Sequence, residues 1–517
     1  MQQPLEAKPK RIAVVGLGAG GIATLRAFSG LPEDVRPRII ITAFDDRESV
    51  GGLWVPQDDV PEPPALPKTP LYPGVRTAGP HPGMTVPNVP FEPETPLLAP
   101  RDAVLRYWQR LHNDSLLSST RVLLQHSVLS ANWKGSSSMG EWHLTYIDLT
   151  TNVTATKVFD HLIAAPGVNH IPYSPPFAGQ EEWLHQDSRR VLIHSMWYRN
   201  DSIFHNRTVL VIGGGASGLD VARHSGRSAK KVYWSRRETS LSLRFFNAPT
   251  GVESVPAFSH FASDAVHLSN GSALPQVDFV ILATGYQVRF PFLTAGGVLD
   301  EVDSDSPQPD DHLTTNARYV HPLYEHTLSL DQRYPLSALF FIGIARNDPT
   351  GIACYAQALF AAHTLTQPSL LQTRLQLLSA LKAREDRVRA DSGVEPGRNG
   401  HKIDSGYGAR AGYDADGPYQ DLLVHSLREL DPSLAGQSGI PRSGFNYTER
   451  WRRSASMNSL QVMYGWHARL VNEGEGLDGW EGDFVRGVRS EADYLDAVSR
   501  FVEWWEEHKD SVTASSI

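Results

Sequence analysis

Two glycine clusters restrict this chain more than any other feature. Gly16-Leu17-Gly18-Ala19-Gly20-Gly21 and Gly213-Gly214-Gly215-Ala216-Ser217-Gly218 share the spacing G-x-G-x-x-G. Each follows an apolar run, residues 11–15 and 208–212, and each opens a helical stretch, 22–28 and 219–224. A second apolar run comes next, 38–44 in one case and 231–234 in the other. Strand, glycine turn, helix and strand form the βαβ unit that holds a dinucleotide. The first glycine permits the tight turn, the second lets backbone approach a pyrophosphate, and the third lets helix and strand pack closely. Unpaired N–H groups at the helix start then face the phosphate charge. The chain is therefore expected to be an α/β protein with two Rossmann-like dinucleotide-binding domains.

The residue ending the second strand of each unit selects the ligand. In the first unit Asp45 stands there, with Asp46 as its competitor, and a carboxylate at this point takes ribose hydroxyls. The spacing exceeds the usual ~20 residues, and a proline-flanked turn at 32–37 accounts for the excess. In the second unit the strand runs into Ser235-Arg236-Arg237. A carboxylate would repel a ribose 2′-phosphate whereas arginine pairs with it, so NADPH is expected over NADH. Two dinucleotide sites in one chain imply electron transfer between a tightly held FAD and a diffusible nicotinamide.

Composition narrows the class. The 517 residues, 41% of them hydrophobic, suffice for several domains. A net charge of −9 argues against a nucleic-acid partner. With Cys354 the single cysteine, a disulfide framework and a C-x-x-C redox pair are both impossible, which excludes a disulfide reductase. The start has no apolar leader, and no run approaches the ~18 apolar residues that span a bilayer. A cytoplasmic protein without a transmembrane segment is expected. Proline-rich stretches at 56–70 and 73–100 read as loops, 101–111 as a helix, and 122–128 and 142–148 as strands around a hairpin tip at 132–140. Apolar runs at 158–165, 277–283 and 339–344 read as strands, followed by a helix at 355–365. Residues 391–420, rich in Gly, Asp and Arg, read as a long loop or lid. Residues 497–512, with Phe501, Val502, Trp504 and Trp505 interrupted by charges, read as an amphipathic helix docked on the protein.

Beyond the glycines, an ordered series of motifs over residues 11–362 resembles the flavin-containing monooxygenase family, the class B flavoprotein monooxygenases, in its fungal type. Val50-Gly51-Gly52-Leu53-Trp54 resembles the family's flavin-contacting IGGLW turn, and Tyr72-Pro73-Gly74-Val75-Arg76-Thr77 its Y-x-x-L-R-T segment. Asp278-Phe279-Val280-Ile281-Leu282-Ala283-Thr284-Gly285-Tyr286 resembles its D-x-V-I-x-A-T-G-Y linker. Phe341-Ile342-Gly343 and Gln357-Ala358 resemble its third flavin segment. The family's F-x-G-x-x-x-H-S-x-x-Y motif has its parts in Phe177-Ala178-Gly179 and His194-Ser195-Met196-Trp197-Tyr198, separated by an insertion. Tyr198 favours this family over Baeyer–Villiger enzymes, which place tryptophan there. Two positions depart from the pattern. Thr77-Ala78 replaces Thr-Asn, so a side chain that hydrogen-bonds beside the flavin is missing. Ala165-Pro166-Gly167 replaces the first linker's Ala-Thr-Gly.

The resemblance implies FAD contacts at Gly16, Gly18, Ala19, Gly20, Gly21, Asp45, Gly52, Leu53, Trp54, Thr77, Val128, Gly343 and Gln357. It implies NADP contacts at His194, Ser195, Tyr198, Gly213, Gly215, Ala216, Ser217, Gly218, Ser235, Arg236, Arg237 and Thr284. No catalytic side chain and no metal are assigned, and His194 is read as a hinge residue rather than an acid–base catalyst. An FAD domain is expected from residues 1–170 and 330–517, with a helical C-terminal extension, and an NADPH domain inserted at 171–329. The implied reaction runs from NADPH to FAD to dioxygen. A C4a-hydroperoxyflavin then gives one oxygen atom to nitrogen or sulfur of a small molecule, as in N,N-dimethylaniline monooxygenation. The rival readings are an NADPH oxidase releasing hydrogen peroxide, a Baeyer–Villiger or N-hydroxylating enzyme, and an inert dinucleotide-binding regulator. A homodimer is compatible with each.

Overall fold

The computed structural model describes residues 8–237, 248–303, 309–345, 350–392, 419–437, 440 and 484–514. Uninterrupted apolar runs build two parallel sheets, because strands buried on both faces have no position for a polar side chain. In the first sheet, β1 (Lys10–Val15), β2 (Ile39–Phe44), β3 (Thr120–Leu123) and β4 (His161–Ala164) run parallel in the order β4-β1-β2-β3. Helix α1 (Ala19–Ser29) follows β1. Helix α2 (Arg101–Asn113) precedes β3 and buries Val104, Tyr107, Trp108 and Leu111, a spacing of three and four that makes one apolar stripe.

The second sheet comprises β5 (Val191–His194), β6 (Thr208–Ile212), β7 (Lys231–Ser235), β8 (Val252–Val255) and β9 (Phe279–Leu282). Its order is β8-β7-β6-β9-β5, again all parallel, with helix α3 (Ala216–Ser228) between β6 and β7. The chain then rejoins the first sheet through β10 (Leu323–Tyr324), β11 (Leu328–Ser329) and β12 (Leu339–Phe341). β12 pairs parallel with β4, and β11 is antiparallel to both β10 and β12. The return begins well before 330: Val288, Phe290, Leu293 and Leu313 share one apolar cluster with Ala13, Phe44 and Leu162 of the first sheet. The second sheet has its own cluster around Val209, Val211, Trp234 and Ile281.

Three expected strand boundaries move. The run at 122–128 divides between β3, which ends at Leu123, and a hairpin strand that starts at His126, with a turn at Gln125 (φ 56) between them. The run at 158–165 is not one strand: Val153–Phe159 belongs to an antiparallel hairpin sheet, β4 to the first parallel sheet, and Asp160 separates them. Asp160 accepts from the Arg11 backbone N–H at 2.8 Å and from its guanidinium at 2.6 Å, which fixes the break. The hairpin tip also shrinks, because the strands His126–Gly135 and Gly140–Asp148 pair as far as Gly135 with Gly140, leaving only 136–139 as turn.

Four longer helices follow the sheets in the described chain: α4 (Thr350–Thr366), α5 (Arg374–Ser392), α6 (Tyr419–Leu430) and α7 (Glu491–Ala514). α4 is buried along almost its whole length, and α6 joins the same cluster through Tyr419, Leu423, Val424 and Leu427. α7 docks as its apolar face foretells, setting Tyr494, Val498 and Phe501 against Leu97 and Leu98. The expected lid falls largely at 393–418, outside the described residues. No described helix is long and apolar enough to cross a membrane.

Candidate functional site

The first glycine cluster lies at the end of β1, walled by three other backbone segments. Gly16 has φ +99, and a Cβ there would sit 2.3 Å from the Ala165 carbonyl oxygen, so only glycine fits. Gly52, at φ +58, brings the GGLW turn against the cluster, where its Cβ would stand 2.7 Å from Gly18 Cα. The Gly51 N–H donates to Leu17 O at 2.9 Å. From the other side, Ile342 O lies 3.0 Å from the Cβ position of Gly20, and Gly343 follows at φ +81. The segments 16–21, 51–54, 165–167 and 342–343 therefore converge on one backbone-lined cradle.

The charge pattern suits an anion beside a ribose. α1 starts at Ala19 with no side-chain cap and no acid in its first turn, so its N–H groups point outward uncompensated. Asp45 rather than Asp46 faces the glycines: Asp46 is exposed, whereas the buried Asp45 carboxylate accepts the Leu17 N–H at 2.6 Å and the Arg47 N–H at 2.9 Å. Burial raises the Asp45 pKa, and the two N–H donors oppose that shift. Val128 lies just beyond this edge, in the strand whose His126 N–H donates to Asp45 O. Leu53 and Trp54 form a short turn of 3-10 helix, with Trp54 packed on the core. Thr77 turns inward, donating its hydroxyl to Gly79 O at 2.7 Å, and Ala78 beside it is exposed. Gln357, from α4, is fully buried and accepts the Gly343 N–H at 2.8 Å.

The second cluster repeats the first. Gly213 has φ +131 with its Cβ position 2.2 Å from Ala283 O, the counterpart of Gly16 on Ala165. α3 starts without a side-chain cap or an acidic residue. Gly215, Ala216 and Ser217 are exposed, and nothing lies within 4 Å of the Cβ position of Gly215. Gly218 packs closely, with its Cβ position 2.1 Å from Gly213 O. The end of β7 differs from expectation. The Ser235 hydroxyl donates to Pro256 O at 2.9 Å and accepts the Phe258 N–H at 2.7 Å, so it serves the fold. Arg236 is buried, stacked 3.9 Å from the Trp234 ring centre, and donates to Ser254 at 2.8 Å. Arg237 is the exposed member of the pair.

Two linkers join the sheets, at 165–173 and 283–288, and they lie side by side. Tyr173 N–H donates to Gly285 O and Gln287 N–H to Ile171 O, both at 2.8 Å. The Thr284 hydroxyl donates to Tyr173 O. His194, at the end of β5, closes the pair. Its Nδ1 accepts the Met196 N–H at 3.0 Å, which leaves Nε2 to donate to Gly285 O at 3.0 Å. Burial pushes the His194 pKa down to about 4, so the ring is neutral at neutral pH with both nitrogens engaged. Ser195 bonds the Tyr286 phenol next to it. Tyr198 does not stay with this group: its hydroxyl meets His224 Nδ1 of α3 at 2.9 Å, and its ring packs on Tyr72 and Phe204. The insertion that splits the family motif is a helix, Gln180–Gln186, whose Trp183 is buried against Phe261.

Residues that sequence reasoning missed tie the 61–77 segment to the second sheet. Tyr72 donates its hydroxyl to Asp220 of α3 at 2.7 Å, Arg199 donates to Thr69 O at 2.9 Å, and Trp197 donates to Pro61 O at 3.1 Å. These contacts join residues more than a hundred positions apart, so no local pattern announces them. Among the described residues no group of His, Cys, Asp and Glu is suited to a metal.

Residues 9–248 match the family model described as flavin-binding monooxygenase-like. A thiol-specific monooxygenase of Saccharomyces cerevisiae is 28% identical over 320 residues, 62% of this chain and 69% of that protein. A trimethylamine monooxygenase of Roseovarius is 28% identical over 294 residues, 55% of this chain and 62% of that protein. The structure of S-allyl-L-cysteine S-oxygenase from Allium sativum superposes with a TM-score of 0.66 at 21% identity, over 96% of this chain and 99% of that one. That last likeness fixes the two-sheet fold.

Proposed function

Because the chain belongs to the flavin-containing monooxygenase family, we propose that it oxygenates a soft nucleophile, nitrogen or sulfur, of a small molecule. FAD and NADPH are its cofactors. When bound, FAD and NADPH would together supply the two electrons needed to split dioxygen, one atom going to substrate and the other leaving as water. The observation that carries this reading is the pair of matched glycine cradles, each with an uncapped helix start, hinged on antiparallel linkers.

The chain's own residues then divide the work. The start of α1 and its glycines hold the FAD pyrophosphate, and Asp45, an acceptor on both oxygens, takes the ribose. Gly52 and Gly343 press backbone toward the flavin from two sides. The start of α3 holds the NADPH pyrophosphate at Gly215, Ala216 and Ser217, and Arg237 meets the 2′-phosphate. His194, neutral and spent on Gly285 and Met196, positions the linkers and moves no proton. The FAD body is assigned to residues up to about 170 and again from about 288, with the NADPH body between. The packing of Val288 and Phe290 on the first sheet supports a boundary earlier than 330. The names of the relatives, a thiol-specific and a trimethylamine monooxygenase, support sulfur or nitrogen as the atom oxidised.

The test is anaerobic addition of NADPH to the purified protein, followed by ¹⁸O₂ with a thiol or a tertiary amine. The expected result is bleaching of the flavin and one labelled oxide per NADPH. A flavin that NADPH does not bleach would refute the reading. A second reading rests on Ala78, which places a methyl where the family carries an amide. Hydrogen peroxide equal to NADPH consumed, whichever substrate is present, would make the protein an NADPH oxidase.

A further inference from the structure

The flavin cradle is braced from a helix far outside the glycine motifs. Gln357 is fully buried, and its Oε1 accepts the Gly343 N–H, which fixes the orientation of its amide. Its Nε2 must then find an acceptor, and the one it meets is the Tyr419 hydroxyl, at 2.8 Å. Tyr419 is itself buried at the first turn of α6 and passes its own proton to the Glu325 carbonyl. The relay runs in one direction, from Gly343 N–H through the Gln357 amide and the Tyr419 phenol to Glu325 O. The Tyr419 hydroxyl also lies 3.2 Å from the Thr327 hydroxyl, so its phenol is held by three neighbours, and removing its oxygen takes an acceptor from the buried Gln357 amide.

Gly343 stands at φ +81 over Gly20 of the first cluster, 3.9 Å from its Cβ position to Gly20 Cα. Glu325 belongs to the turn between β10 and β11, where its carboxylate meets Arg384 of α5 at 3.3 Å. The Thr327 hydroxyl joins the same carbonyl at 2.9 Å, and Phe341 N–H donates to Thr327 O at 2.7 Å. α6 thus holds the backbone that approaches the flavin without approaching the flavin itself. Tyr419 also lies well beyond residues 9–248, the part that matches the family model.

We propose that Tyr419 is a positioning residue for FAD, acting through Gln357 to hold Gly343 in the conformation the flavin needs. This rests on the assignment of the first glycine cluster to FAD. Tyr419→Phe removes one oxygen atom and keeps the ring that packs under α4. Gln357 then loses the partner of its Nε2, and its hold on Gly343 loosens.

The experiment titrates FAD into the stripped apoprotein and follows quenching of flavin fluorescence, together with the absorption spectrum and midpoint potential of the bound flavin. Tyr419→Phe is expected to weaken FAD about tenfold, the scale of one lost buried hydrogen bond, and to shift both spectrum and potential. Leu427→Val, which trims the apolar face of the same helix, is expected to lower Tm while leaving FAD affinity and potential unchanged. A double variant, Gln357→Leu with Tyr419→Phe, should be no weaker than Gln357→Leu alone, because both act through one chain of bonds. Unchanged affinity and spectrum in Tyr419→Phe would overturn the proposal. So would a loss in Leu427→Val equal to that in Tyr419→Phe, since α6 would then act only through packing. A wild-type protein that takes up no FAD overturns the flavin assignment itself and the proposal with it.

Discussion

Gly215 offers a substitution whose effects on folding and on binding should separate cleanly. Its φ of −88 and ψ of −177 suit any L residue, and nothing lies within 4 Å of the Cβ it lacks. Gly215→Ala therefore adds a methyl to open space. Two small effects on stability oppose each other. Alanine restricts the unfolded chain, which stabilises by ~0.4–1 kcal/mol, and it is a poorer N-cap than glycine by roughly the same amount. The net change should stay within ~1 kcal/mol, and Tm should move by no more than a few degrees. The same methyl stands at the mouth of α3, where the backbone must approach a pyrophosphate. Displacing that charge by even a fraction of an ångström weakens several N–H contacts at once, and a loss of ~1.5–3 kcal/mol corresponds to roughly 10- to 150-fold. The assays are thermal unfolding of the FAD-loaded protein and the KM for NADPH read from nicotinamide oxidation. FAD content should match the wild type. Gly213→Ala supplies the contrast: at φ +131 and 2.2 Å from Ala283 O, its methyl strikes backbone, and the fold itself should fail. A Gly215→Ala protein with unchanged Tm and unchanged KM for NADPH would refute the assignment of α3 to the pyrophosphate.

Three further expectations follow from the side chains. His81, held down to about 3, and His161, His194 and His363, each held down to about 4, are neutral in the fold because burial opposes their charge, while the unfolded chain protonates near 6.5. Their contribution is present above pH 6.5 and lost as pH falls toward 4, and His321, raised between Glu385 and Asp310, works in the opposite sense. Tm should fall from pH 7 to pH 5 with net proton uptake on unfolding, and a Tm constant over that range would contradict the assignment. Arg237→Ala removes an exposed side chain, so stability should change by less than ~0.5 kcal/mol, while KM rises for NADPH and not for NADH; equal effects on both coenzymes would take Arg237 off the 2′-phosphate. Ala78→Asn restores an amide at an exposed position, and the share of NADPH electrons lost as hydrogen peroxide should drop. An unchanged share would show that this position does not govern coupling.

The parallel strands were legible because burial on both faces forces an unbroken apolar run, and the glycines were legible because close backbone approach admits no other residue. Asp45 and Asp46 could not be separated from sequence, since alternation fails at a strand end; the Leu17 N–H decides the matter. The break at Asp160 was invisible because its cause is Arg11, 149 residues away. Arg236 and Arg237 look equivalent as a dipeptide, yet the Trp234 ring captures one and leaves the other exposed. Tyr419 gave no signal at all: its partners are 62 and 94 residues distant, and a tyrosine at a helix start has no pattern of its own.

The paired linkers set how the two sheets can move. A body tethered by one extended strand can turn about any axis and drift along the tether. Here one strand leaves the first sheet and another returns to it, antiparallel and cross-bonded at Tyr173–Gly285 and Ile171–Gln287. Glycines at φ +80 and φ +88, Gly167 and Gly285, sit one on each strand where the backbone bends. Such a ribbon resists stretching and sideways shear but twists readily, like a strip of cloth held at both edges. Any turn of the second sheet about this ribbon must also carry or break the Tyr72–Asp220, Arg199–Thr69 and Trp197–Pro61 bonds that tie the 61–77 segment to it, while His194 holds Gly285 O at the crossing of the two linkers.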